Sequence, residues 1–268
     1  MSKIERTFEK LKSKGQAALI CYLMAGDPDP ETTEALVTKM AESGADIIEL
    51  GVPYSDPLAD GPTIQAASQR ALQKGVNLRE VFKLAQRLEG VAAPVLVMTY
   101  FNPVFRYGLK AFAEDCQRSA IAGAIIPDLP PEEAGPWMRE ARKRKLDTIF
   151  LAAPTSPPER IKMVSQFSRG FIYYVSLTGV TGVQERLSIE LQPAVRRIRE
   201  QSQKPVAVGF GISTPEQAGE VSRFADGVIM GSAIVKLIEE EPRREPLLSR
   251  IGIFISSISA AIRRGDSR

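Results

Sequence analysis

Eight short apolar runs alternate with longer amphipathic segments along this chain, and that alternation constrains its fold more than any other feature. The runs occupy residues 18–23, 45–50, 95–99, 122–126, 148–151, 171–175, 206–208 and 227–230. Apolar runs this short, bounded by glycine and proline, read as strands buried on both faces. Between them, segments such as 30–43, 108–119, 131–145, 157–167, 189–201 and 215–223 read as helices. Several open on proline, whose missing N–H costs nothing in a first helical turn. Strict strand–helix alternation implies a parallel sheet, and eight units in about 250 residues suit a closed (β/α)8 barrel better than an open sheet. No linker or low-complexity tract interrupts the pattern. Residues 1–268 therefore read as a single-domain α/β barrel, with additional helices near the N-terminus (2–13) and the C-terminus (247–263). The charged stretch 239–245 reads as a solvated break between the last two helices.

Composition narrows the function classes. Hydrophobic residues form 44% and charged residues 25% of the chain, a globular profile. The net charge of +3 is spread along the sequence and leaves no nucleic-acid footprint. The basic cluster Arg142-Lys143-Arg144-Lys145 closes a helical segment, where cations suit the helix dipole. Two cysteines, Cys21 and Cys116, without a CxxC pair, point to a reducing cytoplasm. No apolar run approaches about 20 residues and no apolar signal core follows Met1, so neither a membrane span nor a signal peptide is expected. The chain has no histidine. That excludes Ser-His-Asp and Cys-His nucleophile systems and the usual zinc sites, and no other metal-ligand cluster stands out. Acid/base chemistry here must rest on carboxylates, lysine, tyrosine or cysteine.

Two carboxylates meet that requirement. Glu49 ends an apolar run, and eleven residues later Asp60 sits in the Gly/Pro-rich loop Gly51-Val52-Pro53-Tyr54-Ser55-Asp56-Pro57-Leu58-Ala59-Asp60-Gly61. A carboxylate among isoleucines and leucine is expensive to ionise, so Glu49 should have a raised pKa, whereas Asp60 in a polar loop should stay ionised. Strand alternation puts Ile47, Glu49 and Gly51 on one face and Ile48 and Leu50 on the other. An inward Glu49 points into the barrel mouth, where barrel active sites lie; an outward one would be buried under helices at a cost of several kcal/mol unless paired. The competing structural reading is a Glu neutralised by Lys or Arg and a turn Asp beside Gly61. Ser55-Asp56 fits either an Asx-type turn or the tip of a mobile lid.

Three late glycine loops form a second constellation: Thr178-Gly179-Val180-Thr181-Gly182, Val208-Gly209-Phe210-Gly211-Ile212-Ser213 and Met230-Gly231-Ser232-Ala233. Each alone is a turn. Together, after successive late strands, with a helix opening near Ser232, they suit a phosphate held by backbone N–H groups. Tyr22, Tyr100, Phe101, Tyr173 and Phe210 add aromatic surface near the same mouth and suit a flat apolar ligand. Asp128 falls at a strand end, and Trp137 reads as packing.

These motifs closely resemble the α subunit of tryptophan synthase. Residues 48–61 look like the family signature. Leu23-Met24-Ala25-Gly26-Asp27-Pro28, Tyr100-Phe101-Asn102-Pro103, Pro127-Asp128-Leu129-Pro130 and the late glycine loops follow in family order over residues 8–240. The resemblance implies a (β/α)8 barrel lyase that cleaves indole-3-glycerol phosphate to indole and D-glyceraldehyde 3-phosphate in tryptophan biosynthesis. It implies Glu49 as the acid/base and Asp60 as the partner of indole N1–H. Tyr173 would position Glu49, and Thr181 would close onto Asp60. Tyr22, Ile64, Tyr100 and Phe210 would line the indole and glycerol portions, and Gly182, Gly211, Gly231 and Ser232 would hold the phosphate. It further implies an α2β2 complex with a β subunit that takes up the indole, with pyridoxal phosphate in the β subunit and no cofactor in this chain. The 53–60 loop and Asn102-Pro103 would lie on the docking face. Three positions depart from the usual pattern: Tyr22 where Phe is common, Leu177, and Val183-Gln184-Glu185-Arg186 in the closing loop. A free-standing lyase, a purely regulatory β-subunit activator and another phosphate-handling barrel enzyme are the competing readings.

Overall fold

A computed structural model of the chain describes residues 1–175, 184–209 and 211–263, and the side chains of all of these except 184–190. Its strands are β1 (Ala18–Met24), β2 (Ile47–Gly51), β3 (Val95–Met98), β4 (Gly123–Ile125), β5 (Asp147–Ala152), β6 (Ile172–Val175), β7 (Val206–Gly209) and β8 (Gly227–Met230). They form a closed parallel barrel in sequence order, with β1 paired to both β2 and β8. Each of the eight apolar runs supplies one strand.

The helices are α1 (Lys3–Lys12), α2 (Pro30–Glu42), α3 (Pro62–Gln73), α4 (Leu78–Arg87), α5 (Phe101–Tyr107), α6 (Leu109–Arg118), α7 (Gly135–Lys143), α8 (Pro158–Phe167), α9 (Gln184–Gln201), α10 (Pro215–Ser222), α11 (Ser232–Glu240) and α12 (Arg244–Arg263). Local chemistry sets many of their starts. Ser2 and Glu5 form a capping box at α1, Asp29 accepts from Thr32 N–H ahead of Pro30 at α2, and Thr214 and Gln217 box α10. Two boundaries differ from the sequence reading. α7 starts at Gly135 rather than 131, because Pro130 and Pro131 carry turns closed by the N–H groups of Glu133 and Ala134. α9 starts at Gln184 rather than 189 and continues through Pro193.

Inside the barrel, Ala18, Ile20, Ile47, Leu96, Ile125, Ile149, Ala207 and Ile229 form one apolar cluster. Helix α1 closes its lower end with Ile4, Phe8 and Leu11, and the Phe8 and Phe171 rings lie 5.6 Å apart. A second cluster joins the outward strand faces to the surrounding helices. Trp137 belongs to it, packing 5.2 Å from Phe112 as expected.

By length and composition α12 could cross a membrane, which counting uninterrupted apolar runs had missed. Its buried residues Leu247, Ile251, Gly252, Ile255, Ile258, Ser259 and Ile262 recur at helical spacing, and the helix packs on α2, α10 and α11. It is a core-facing helix of the barrel wall. The break before it is less solvated than its charges suggested: Glu241 is buried and pairs with Arg243 at 2.9 Å.

Candidate active site

Strand register decides where Glu49 points. Ile47 belongs to the cluster inside the barrel, whereas Ile48 and Leu50 belong to the cluster beneath the helices. Glu49 therefore projects inward, level with Tyr22 on β1 and Leu96 on β3. It is fully buried, and among the described residues neither carboxylate oxygen has a hydrogen-bond partner. No Lys or Arg neutralises it in that set. Burial, and after it the charge of Asp60, pushes its pKa up to about 8. The ion-paired alternative is thereby set aside among the described residues, and a carboxyl in this setting is chemically able to hold and release a proton near neutral pH.

Asp60 is half-buried in the loop between β2 and α3. Burial raises its pKa to about 6, and a hydrogen bond from the Tyr100 phenol opposes the rise. The loop desolvates Asp60 more than its polar Gly/Pro composition suggested. Both carboxylates are thus pushed up, Glu49 further than Asp60, the ordering that lets two acids divide a proton-transfer task.

The loop carrying Asp60 is strapped down rather than loose. Ala59 N–H donates to Tyr100 Oη (2.9 Å), Gln65 Nε2 to the Asp60 carbonyl (2.8 Å) and Asp60 N–H to the Pro57 carbonyl (3.0 Å). Tyr54 exchanges hydrogen bonds with Ser68, its ring lies 5.3 Å from that of Tyr100, and its phenol accepts from Asn102 Nδ2 at 3.0 Å. Asn102 and the loop therefore form one surface, and Leu58 stands 93% exposed at its tip. The Ser55 hydroxyl donates to the Asp56 carboxylate. Asp128 does not face the carboxylates through a bond; it accepts from Phe101 N–H (2.8 Å) and sets the start of α5.

Tyr22 and Tyr173 stand over glycines. A Cβ on Gly51 would lie 2.2 Å from Tyr22 Oη, and one on Gly209 would lie 2.5 Å from Tyr173 Oη. Glycine at these two strand ends is what lets each phenol cross its neighbouring strand. Neither glycine was singled out as a site residue from sequence; a glycine closing a strand beside a strand bearing tyrosine was the available signal. Tyr54 was missed because nothing local distinguishes it. Ile64 is buried in the first turns of α3, within the cluster that also contains Tyr22.

Beside Tyr22, where β8 pairs with β1, Gly231 precedes α11, whose first turn, beginning at Ser232, has no side-chain cap. A bare helix N-terminus offers N–H donors and positive dipole potential to an anion. Gly211 has φ +45°, and nothing stands within 4 Å of where its Cβ would be. Strands β7 and β8 pair through Gly209 and Ile229, so the loops bearing Gly211 and Gly231 are neighbours. Thr181, Gly182 and Phe210, with Leu177 and Val183, lie outside the described residues. Among the described residues no group of three or more His, Cys, Asp or Glu could hold a metal ion.

Known proteins with the same pattern are numerous. The family model described as tryptophan synthase alpha chain matches residues 8–261. The tryptophan synthase alpha chain of Geotalea uraniireducens is 47% identical over 264 residues, covering 98% of each chain. That of Geobacter sulfurreducens is 47% identical over 263 residues, covering 98% of this chain and 99% of its own. Among solved structures, the tryptophan synthase alpha subunit of Legionella pneumophila superposes with a TM-score of 0.90 at 39% identity, covering 98% of each chain. A tryptophan synthase chain from M. tuberculosis gives 0.89 at 39% identity, covering 98% of this chain and 99% of its own. With an inward Glu49 that has no hydrogen-bond partner among the described residues, a neighbouring Asp60 and an open helix N-terminus beside Tyr22, and matched by the family model over residues 8–261, the chain belongs to the tryptophan synthase alpha chain family.

Proposed function

We propose that Glu49 and Asp60 carry the reaction of this family, cleavage of indole-3-glycerol phosphate to indole and D-glyceraldehyde 3-phosphate. Glu49, protonated near neutral pH, gives its proton to C3 of the indole ring, and Asp60 stabilises the positive charge that this creates at N1–H. The Glu49 carboxylate then takes the proton of the C3′ hydroxyl. The C3–C3′ bond breaks, its electron pair returns to the ring to give neutral indole, and the glycerol carbon becomes the aldehyde. Glu49 ends protonated again, so the cycle balances. The observation that carries this reading is a buried carboxylate on the inner barrel wall whose two oxygens have no hydrogen-bond partner among the described residues, with burial pushing its pKa up to about 8.

Tyr173 positions Glu49, while Tyr22, Ile64, Tyr100 and Phe210 surround the indole and glycerol portions. Gly182, Gly211, Gly231 and Ser232 hold the phosphate, and Thr181 closes onto Asp60. The chain works as a single domain spanning residues 1–268, in the cytoplasm, with no metal or cofactor of its own. It pairs with a β subunit in an α2β2 complex, and pyridoxal phosphate belongs to that partner. The apolar side chains of Leu58 and Phe105, exposed by 93% and 66% on the loops and helices after β2 and β3, support a covered mouth through which indole passes.

The test is indole release from indole-3-glycerol phosphate by this chain, with and without added β subunit. Release that depends on Glu49 and Asp60 and rises with β subunit is expected. Full activity in Glu49→Gln would refute the assignment. A wild-type chain that only stimulates the β subunit would favour the regulatory reading.

A further inference from the structure

The unpartnered state of Glu49 poses a physical problem for any reaction in which it gives up its proton. A fully buried carboxylate without a donor is costly to form, so the ionised stage of the cycle requires one. Among the described residues, the groups facing Glu49 are few. Strand β1 presents Tyr22, the loop after β2 presents Asp60, and β6 presents Tyr173. Strands β3, β4, β5, β7 and β8 present the apolar residues Leu96, Ile125, Ile149, Ala207 and Ile229 inside the barrel. Asp60 is itself an acid and repels a second negative charge. Beside the substrate's own C3′ hydroxyl, the two phenols remain among the described residues.

They are not equivalent. Tyr173, already given a part in positioning Glu49 by the proposed reaction, leans across β7, where its hydroxyl stands over Gly209. Tyr22 leans across β2, the strand of Glu49 itself, and its hydroxyl fills the space that a side chain at Gly51 would occupy. Residues 49 and 51 share one strand face, about 6.6 Å apart along the backbone. Tyr22 Oη therefore occupies the next inward position beside Glu49, within reach of an extended carboxylate. Burial, followed by the charges of Asp60 and Glu49, raises the phenol's pKa well above its usual value, so it remains an O–H donor.

We propose that Tyr22 is a positioning residue whose phenol O–H donates a hydrogen bond to the ionised Glu49 carboxylate, stabilising and orienting it between the two proton transfers. This extends the acid/base reading of Glu49 and rests on it. A phenylalanine at position 22 would keep the ring over Gly51 and supply no donor, so the added hydroxyl of this chain has a specific chemical consequence.

The experiment compares wild type, Tyr22→Phe and Glu49→Gln. The Glu49 carboxyl is titrated by difference infrared spectroscopy of the full chain, with Glu49→Gln used to assign the band. The pH dependence of kcat for indole release is measured alongside. A donor to the charged form lowers a carboxyl pKa, so Tyr22→Phe is expected to raise the Glu49 midpoint by about one pH unit, a tenfold change in its ionisation constant. The pH profile of kcat should move with it. A Glu49 midpoint and pH profile unchanged in Tyr22→Phe, with Glu49→Gln inactive, overturn the inference and leave the acid/base reading standing. Substantial activity in Glu49→Gln overturns that reading and the inference with it.

Discussion

Replacing Glu49 by glutamine should make the protein more stable in alkaline solution and inactive in the same stroke. Burial lifts the Glu49 pKa from 4.5 to about 8, so the folded chain binds a proton that the unfolded chain has already released over that interval. Where the folded state binds more protons, stability falls as pH rises. The contribution is full below the unfolded value and is lost as pH climbs through the folded one. From about pH 5 to about pH 8 this spans roughly three units at about 1.4 kcal/mol each, so wild type should lose on the order of 3–4 kcal/mol from this group alone. Asp60 and Asp147, both raised to about 6, slope the same way in both proteins. Loss of the Glu49 charge also eases Asp60 slightly, which trims the difference. Urea unfolding of wild type and Glu49→Gln at several pH values isolates the term. The two should be similar at about pH 4, diverge progressively between about pH 5 and about pH 8, and hold a constant difference above that, the variant being more stable. Cleavage in the variant should drop by about 10²–10⁴-fold, the usual worth of general acid/base catalysis. Parallel pH–stability curves would refute the claim that Glu49 is forced to ionise in an apolar site, whatever the activity did.

Asp60→Asn should slow cleavage strongly while Asp60→Glu keeps a measurable fraction, because only the latter preserves a negative charge; wild-type rates in both would reduce Asp60 to a loop residue. Gly51→Ala places a methyl 2.2 Å from Tyr22 Oη; it should displace that ring, lower kcat and cost about 1–3 kcal/mol of stability, and an unperturbed denaturation midpoint would contradict the packing. Gly211→Val, at φ +45°, should weaken glycerol phosphate and substrate binding together by calorimetry, and unchanged affinity would put the anion elsewhere. Arg70→Ala leaves Asp27 buried without its two 2.8 Å guanidinium bonds, and thermal unfolding should show a loss of about 2–4 kcal/mol, moderated because Arg70 is partly exposed.

Periodicity made the barrel readable before any coordinate, since burial on both faces forces uninterrupted apolar strands and amphipathic helices wherever they stand in space. It also made Glu49 and Asp60 readable, because a carboxylate in an apolar run and another in a Gly/Pro loop are local facts of the chain. The alternation of residues 47 to 51 further limited Glu49 to two orientations. Which of these holds was decided by β2 pairing with β1 and β3, which turned Ile47 and Glu49 toward the axis. The elevation of Asp60 to about 6 and its bond to Tyr100 depended on a loop folding back onto a residue forty positions away. Tyr54, Gly51 and Gly209 gained their importance only from neighbours on other strands and helices. Local sequence determines what a segment is and which face it can bury. Desolvation, hydrogen bonding and steric exclusion depend on what closes over that face, and that is set by long-range pairing.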